Sequence, residues 1–119
     1  MTEQYWDGEN WLEKEKYYNF TKYLLNNKRH RLDGPATIYY YRDSNSPILY
    51  EYYEYYGKLH RSDGPAVIKY LTNGIIEKEE FWFDGIKLNF NPKEIPFDLP
   101  IDTEEKELYI KLKYGVVEK

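Results

Sequence analysis

The sequence predicts a mostly-β domain, an antiparallel meander of repeated hairpins closed by a short C-terminal helix. Three observations carry this. First, Lys28-Arg29-His30-Arg31-Leu32-Asp33-Gly34-Pro35-Ala36 returns 30 residues later as Lys58-Leu59-His60-Arg61-Ser62-Asp63-Gly64-Pro65-Ala66. Self-similarity at a fixed period marks a stacked supersecondary unit. Second, turn dipeptides punctuate alternating runs: Asn26-Asn27, Asn73-Gly74 and Asp84-Gly85 are sites where positive φ is tolerated and strands reverse. Third, aromatic residues make up 19% of the chain, with 15 tyrosines, eight of them between Tyr39 and Tyr56. Tyrosine favours strands because its ring packs while its hydroxyl stays wet.

The elements follow in order. Residues 1–20 read as a poorly defined strand or helix. Leu12 to Tyr18 resembles Ile76 to Trp82 in pattern, which favours a strand. Residues 21–90 form the repeat meander. Thr21 to Leu25 is a strand and Asn26-Asn27 its turn. Asp33-Gly34-Pro35 bends the chain, since Gly accepts a strained φ and Pro fixes the next one. Ala36 to Arg42 is a strand, Asp43 to Pro47 a loop, and Ile48 to Tyr55 a strand ending at Tyr56-Gly57. The second bend, Asp63-Gly64-Pro65, precedes strands at Ala66–Leu71, Ile75–Phe83 and Ile86–Phe90. Alternation puts Ala66, Ile68 and Tyr70 on the core face, and Ala36, Ile38 and Tyr40 with them. Val67, Lys69 and Leu71 then face out.

Residues 91–101 are a connector. They hold three of the six prolines, and proline lacks the donor that a ladder needs. Residues 102–115 are expected to be helical: Asp102 is a candidate N-cap, acids fill the first turn, and Leu108, Tyr109, Leu112 and Val116 form an apolar stripe.

Composition bounds the function. With 119 residues the chain is expected to form one domain. It has no cysteine, hence neither disulfides nor thiolate metal sites. Met1-Thr2-Glu3-Gln4 does not look like a leader, and no apolar run reaches the ~20 residues of a membrane span, so a cytoplasmic location is expected. The formal charge is -4 with both signs present, which argues against duplex DNA as a partner, because phosphate neutralisation needs a basic surface.

The His-Arg-x-Asp clusters are the chemically suggestive motif. His30, Arg31, His60 and Arg61 are the candidates for gripping an anion such as a nucleotide phosphate. Against this, an active centre is not normally duplicated in place. The local alternative has Asp33 and Asp63 pairing with Arg31 and Arg61 at the bend, and His30 and His60 donating to neighbouring carbonyls. A shared metal ion is not expected, because two strands per unit set the histidines ~10 Å apart. No cofactor is expected. There is no Gly-x-Ser-x-Gly elbow and no poised carboxylate pair, so no catalytic residue is assigned and the chain is not expected to be an enzyme.

The two His-Arg-x-Asp-Gly-Pro-Ala cores resemble the β-hairpin repeats of many phage, giant-virus and bacterial proteins, loosely similar to MORN-type repeats. The likeness runs from about Tyr23 to Leu88. It weakens at Phe81-Trp82-Phe83-Asp84-Gly85-Ile86-Lys87-Leu88, where Asn89 stands in place of His-Arg. It implies a scaffold and no reaction. It also implies a viral or phage origin, and with it a small protein that binds a host protein or complex concerned with defence or nucleic-acid processing, as an anti-CRISPR does. The contact surface expected from the tyrosine-rich hairpin is Tyr39, Tyr41, Glu51, Tyr53, Glu54 and Tyr55. A nucleotide-sequestering protein and a self-assembling viral component are the alternatives, and the chain is expected to be a monomer or homodimer.

Overall fold

A computed structural model describes residues 2–89. Twelve strands follow one another: β1 (Thr2–Trp6), β2 (Trp11–Lys16), β3 (Phe20–Leu25), β4 (Lys28–Arg29), β5 (Thr37–Tyr40), β6 (Ile48–Tyr52), β7 (Glu54–Tyr55), β8 (Lys58–Leu59), β9 (Val67–Tyr70), β10 (Ile76–Glu80), β11 (Trp82–Phe83) and β12 (Ile86–Lys87). The main sheet is an antiparallel meander in the order β1-β2-β3-β5-β6-β9-β10, with β4 also on β3; β7–β8 and β11–β12 pair separately. There is no helix among the described residues. The helix expected at 102–115 and the connector at 91–101 lie outside them. Residues 2–19 hold two strands, joined by a turn from Asp7 to Asn10, and β3 begins at Phe20.

The repeat is a strand that reverses once and runs back along its neighbour in two pieces, β4 and β5 both lying antiparallel to β3. Arg29 lies opposite Leu24 and Thr37 opposite Lys22. Between them the backbone of Tyr23 bonds both sides of the gap: its C=O accepts His30 N–H at 3.1 Å, and its N–H donates to Ala36 C=O at 2.8 Å. Residues 31–35 are therefore an excursion looped out of a returning strand. Tyr53 repeats the arrangement, with His60 N–H at 3.0 Å and Ala66 C=O at 2.7 Å.

Each unit opens with a two-residue turn in which both φ angles are positive: Asn26 and Asn27 (51°, 65°), Tyr56 and Gly57 (50°, 84°), Asp84 and Gly85 (51°, 81°). These are the turns whose twist suits an antiparallel hairpin. In the third unit Leu88 N–H bonds Phe81 C=O at 2.8 Å. Leu88 thus stands where His30 and His60 stand, so it is Leu88, not Asn89, that replaces the histidine.

The core lies along one face under the excursions: Leu12, Tyr23, Ala36, Ala66, Ile68 and Leu88 are buried, with Thr21. The expected burial needs one correction. Thr37 and Val67 are also buried, although alternation puts them on the opposite side. Thr37 is enclosed by polar contacts there: its hydroxyl donates to Glu54 Oε1 at 2.6 Å and accepts from Arg29 Nη1 at 3.3 Å. Ile38, Tyr40 and Tyr70, expected in the core, are only half-buried.

Candidate functional site

The motif residues build two devices. The first is an arginine staple. Arg31 Nε donates to Asp33 Oδ1 at 2.7 Å and Nη1 to Pro35 C=O at 3.2 Å. Arg61 repeats both bonds, to Asp63 and to Pro65 C=O, each at 3.1 Å. Each guanidinium lies on a tyrosine ring, Arg31 4.2 Å from the centre of Tyr23 and Arg61 3.9 Å from that of Tyr53. The glycine is the other wall: a Cβ on Gly34 would sit 2.8 Å from Arg31 Cζ, and one on Gly64 3.0 Å from Arg61 Cζ. The spacing Arg-x-Asp-Gly-Pro is thus the shape of a planar cation clamped between a ring and a bare backbone. Burial pushes Asp33 up, but hydrogen bonds from Tyr5 and Arg31 outweigh it and hold the carboxyl below its ordinary value.

The second device is a histidine clamp between units. His30 Nδ1 accepts Tyr56 N–H at 3.1 Å, and His60 Nδ1 accepts Asp84 N–H at 2.9 Å. The histidines therefore accept from a backbone N–H and do not donate to carbonyls through this nitrogen, correcting the expectation. Each holds the next unit's turn at a residue with positive φ. Burial lowers both imidazoles below the ordinary value, against the opposing pull of Asp7 and Glu9 on His30 and of Asp84 on His60. Accepting a bond at Nδ1 leaves Nε2 as the protonated nitrogen of each neutral ring. Among the described residues His30 Nε2 is buried without a hydrogen-bond partner, 3.9 Å from Asp7 Oδ2.

The anion candidates differ in how far these contacts engage them. His30 is fully buried. Arg31 is engaged on all three nitrogens, the last donating to Tyr5 Oη at 2.9 Å. A cleft of about 810 Å³ between the two excursions is lined by Arg31, Asp33, Tyr53, His60, Arg61 and Asp63, among others. It brings together three of the four candidates and leaves His30 out, and each guanidinium enters it already paired with its own aspartate.

The tyrosine-rich surface is divided. Residues opposite one another share a face, so Thr37, Tyr39, Tyr50 and Tyr52 lie together. There Phe20 stacks on Tyr39 at 5.3 Å and Tyr39 meets Tyr52 at 5.9 Å. Glu54 follows on that side, bonded to Thr37; burial raises its carboxyl above the ordinary value, opposed by that bond and by Arg29. Glu51 and Tyr53 are on the other face. Glu51 accepts Tyr70 Oη at 2.6 Å, and Tyr53 lies beneath Arg61. Tyr41 donates to Tyr70 C=O at 2.6 Å. Tyr55 is 41% exposed and contacts both imidazoles, at 4.7 and 5.7 Å. The six residues expected to form one contact surface thus do not share a face.

The sequence reading missed a more exposed feature. Trp6 and Trp11 face each other across the β1–β2 hairpin, with ring centres 5.4 Å apart, and remain 49% and 63% exposed. Their equal distance from the Asp7-Gly8-Glu9-Asn10 turn is the signal that could have paired them.

Among the described residues no group of three or more His, Asp or Glu is placed to hold a metal ion, and no helix is long and apolar enough to cross a membrane. No protein-family model, curated protein or solved structure matches the chain.

Proposed function

We propose that this chain is a non-enzymatic protein-binding module whose contact surface is centred on Trp6 and Trp11. The observation that carries the reading is the exposure of two adjoining indoles, 49% and 63%, on a hairpin. Tryptophan is enriched among residues that dominate interface energy. The remaining chemistry of the repeats supports the same reading, since His30, Arg31 and their partners are engaged within the scaffold.

The likeness of the repeats to those of phage, giant-virus and bacterial proteins supports a specific version: a virus-encoded inhibitor of a host defence or nucleic-acid-processing complex, acting in the host cytoplasm. Affinity capture from host extract tests it, comparing the natural chain with Trp11→Ala and with Trp6→Ala/Trp11→Ala. A specific host protein lost from both variants, with melting curves retained, is the expected result. Undiminished capture by the folded variants would reject the surface.

A second reading is favoured by Arg61, whose Nη2 makes no hydrogen bond among the described residues, beside His60 in the cleft between the excursions. It is a nucleotide or anion site. Thermal shift with mononucleotides, abolished by Arg61→Ala, would support it.

A further inference from the structure

β1 is an edge strand of an unusual kind. Edge strands are normally blunted by bulges, proline, lysine or shortness. Thr2-Glu3-Gln4-Tyr5-Trp6 has no proline and no lysine, and its register against β2 is regular over its whole length. The opposite edge, β10, is broken by a register shift between Ile76 and Lys78 and carries Glu77, Lys78, Glu79 and Glu80. Of the two edges that the described residues give the main sheet, β1 is the receptive one.

The hydrogen-bond parity shows which groups β1 offers. Asp7 N–H bonds Asn10 C=O at 3.1 Å, so that pair is hydrogen-bonded. Strict alternation then makes Trp6–Trp11, Gln4–Glu13 and Thr2–Glu15 the non-bonded pairs. The N–H and C=O groups of Thr2, Gln4 and Trp6 therefore point away from β2, towards the open edge. The strand is also held rigid from its other face. Tyr5 Oη donates to Asp33 Oδ2 at 2.6 Å and accepts from Arg31. Asp7 receives Glu9 N–H, Asn10 N–H and Leu32 N–H on its two oxygens. A pre-set edge loses little freedom when a partner adds to it.

Charge names the partner. Glu13 follows Trp11 on the same face, is exposed, and has no ion-pair partner among the described residues; Glu9, in the turn between the tryptophans, is exposed and likewise without one. Exposed indoles beside free carboxylates favour a cation, which gains from the ring face as well as from the charge. From these observations we infer that β1 takes up an extended, basic segment of a protein partner as an added strand, with a lysine or arginine side chain laid on Trp6 and Trp11 beside Glu13. This inference deepens the protein-binding reading and rests on it. A second copy of the chain fits less well, because β1 itself carries no lysine or arginine to lay on the indoles.

The probe is a capped synthetic peptide of eight residues alternating lysine and valine, titrated into the full chain by calorimetry and tryptophan fluorescence. Binding with Kd below about 1 mM is expected at low salt, weakened at least about tenfold by Gln4→Pro, which removes an outward N–H and leaves the β1–β2 ladder intact. Glu13→Lys should weaken it severalfold. A peptide N-methylated at its lysines, the residues whose N–H groups must face β1 to lay lysine on the tryptophan face, repeats the backbone test on the unaltered chain and should bind at least about tenfold more weakly. No binding at millimolar peptide, equal binding of the glutamate-for-lysine peptide, or indifference to N-methylation would each overturn the inference. So would a concentration-dependent dimer in light scattering that Gln4→Pro abolishes, since it would make a second copy the occupant. If a host protein is lost from Trp11→Ala but retained by Gln4→Pro, strand addition fails while the binding surface stands.

Discussion

His30 Nδ1 accepts the backbone N–H of Tyr56, 26 residues further along the chain, at 3.1 Å. The same bond joins His60 to Asp84 at 2.9 Å. Tyr56 has φ of 50°, a conformation that bulky residues rarely adopt. The imidazole satisfies its N–H and packs against its ring at 4.4 Å. One unit thereby fixes the strained turn of the next.

Removing this clamp should cost stability in proportion to its burial. His30→Ala leaves an unpaired N–H and a void in a fully buried site, and should lower unfolding free energy by ~2–4 kcal/mol. His60→Ala, at a half-buried site, should cost about 1 kcal/mol. Urea titrations of the two variants would check the order, and an equal loss would argue against burial as its cause.

Acid should loosen the same joints. Both imidazoles are held below their ordinary value of 6.5 in the folded chain, so the unfolded chain binds more protons in that range. Stability is then full above that value and falls as pH drops below it through the folded values. Melting temperatures measured from pH 7.5 to pH 5 should decline, and the decline should shrink in His30→Gln/His60→Gln, whose amides can accept the bond without titrating. The same slope in that variant would place the effect elsewhere.

The staple can be tested by filling its open wall. Gly34→Ala forces a Cβ to 2.8 Å from Arg31 Cζ and should destabilise by ~1–3 kcal/mol. In the Arg31→Ala background the added methyl meets no guanidinium, so the double-mutant cycle should show strong coupling. Additive losses would mean that the glycine serves the backbone alone.

Planarity is the remaining requirement. Arg61→Lys keeps the charge but loses the paired donors to Asp63 and Pro65 and the flat stack on Tyr53. A loss of about 1 kcal/mol is expected. A thermal melt indistinguishable from the natural chain would show that charge alone suffices.

The sequence was legible where the physics is local. Paired positive-φ turns and the Arg–Asp pairing involve residues within a few positions of each other. Their side-chain and backbone preferences act before any tertiary contact forms. The 30-residue period gave the meander by the same logic, because copies of one unit need one another's backbone. Gly34 and Gly64, expected to take a strained φ at the bends, instead have no positive φ and serve to make room for the guanidinium.

Contacts between distant parts of the chain were not legible. Asp7 reaches Leu32, Tyr5 reaches Asp33, and Leu88 fills a histidine's place; each depends on which strand lies beside which. Alternation placed Thr37 and Val67 on the correct face but misjudged their burial; at Thr37 a polar cluster, not an apolar core, encloses the side chain. The tyrosines from Tyr39 to Tyr55 read as one surface in sequence, yet the register divides them between two faces. The repeat and its turns are thus written in short-range backbone preference. The exposed tryptophan pair, the open edge and the division of faces were decided by strand register, which only the assembled sheet supplies.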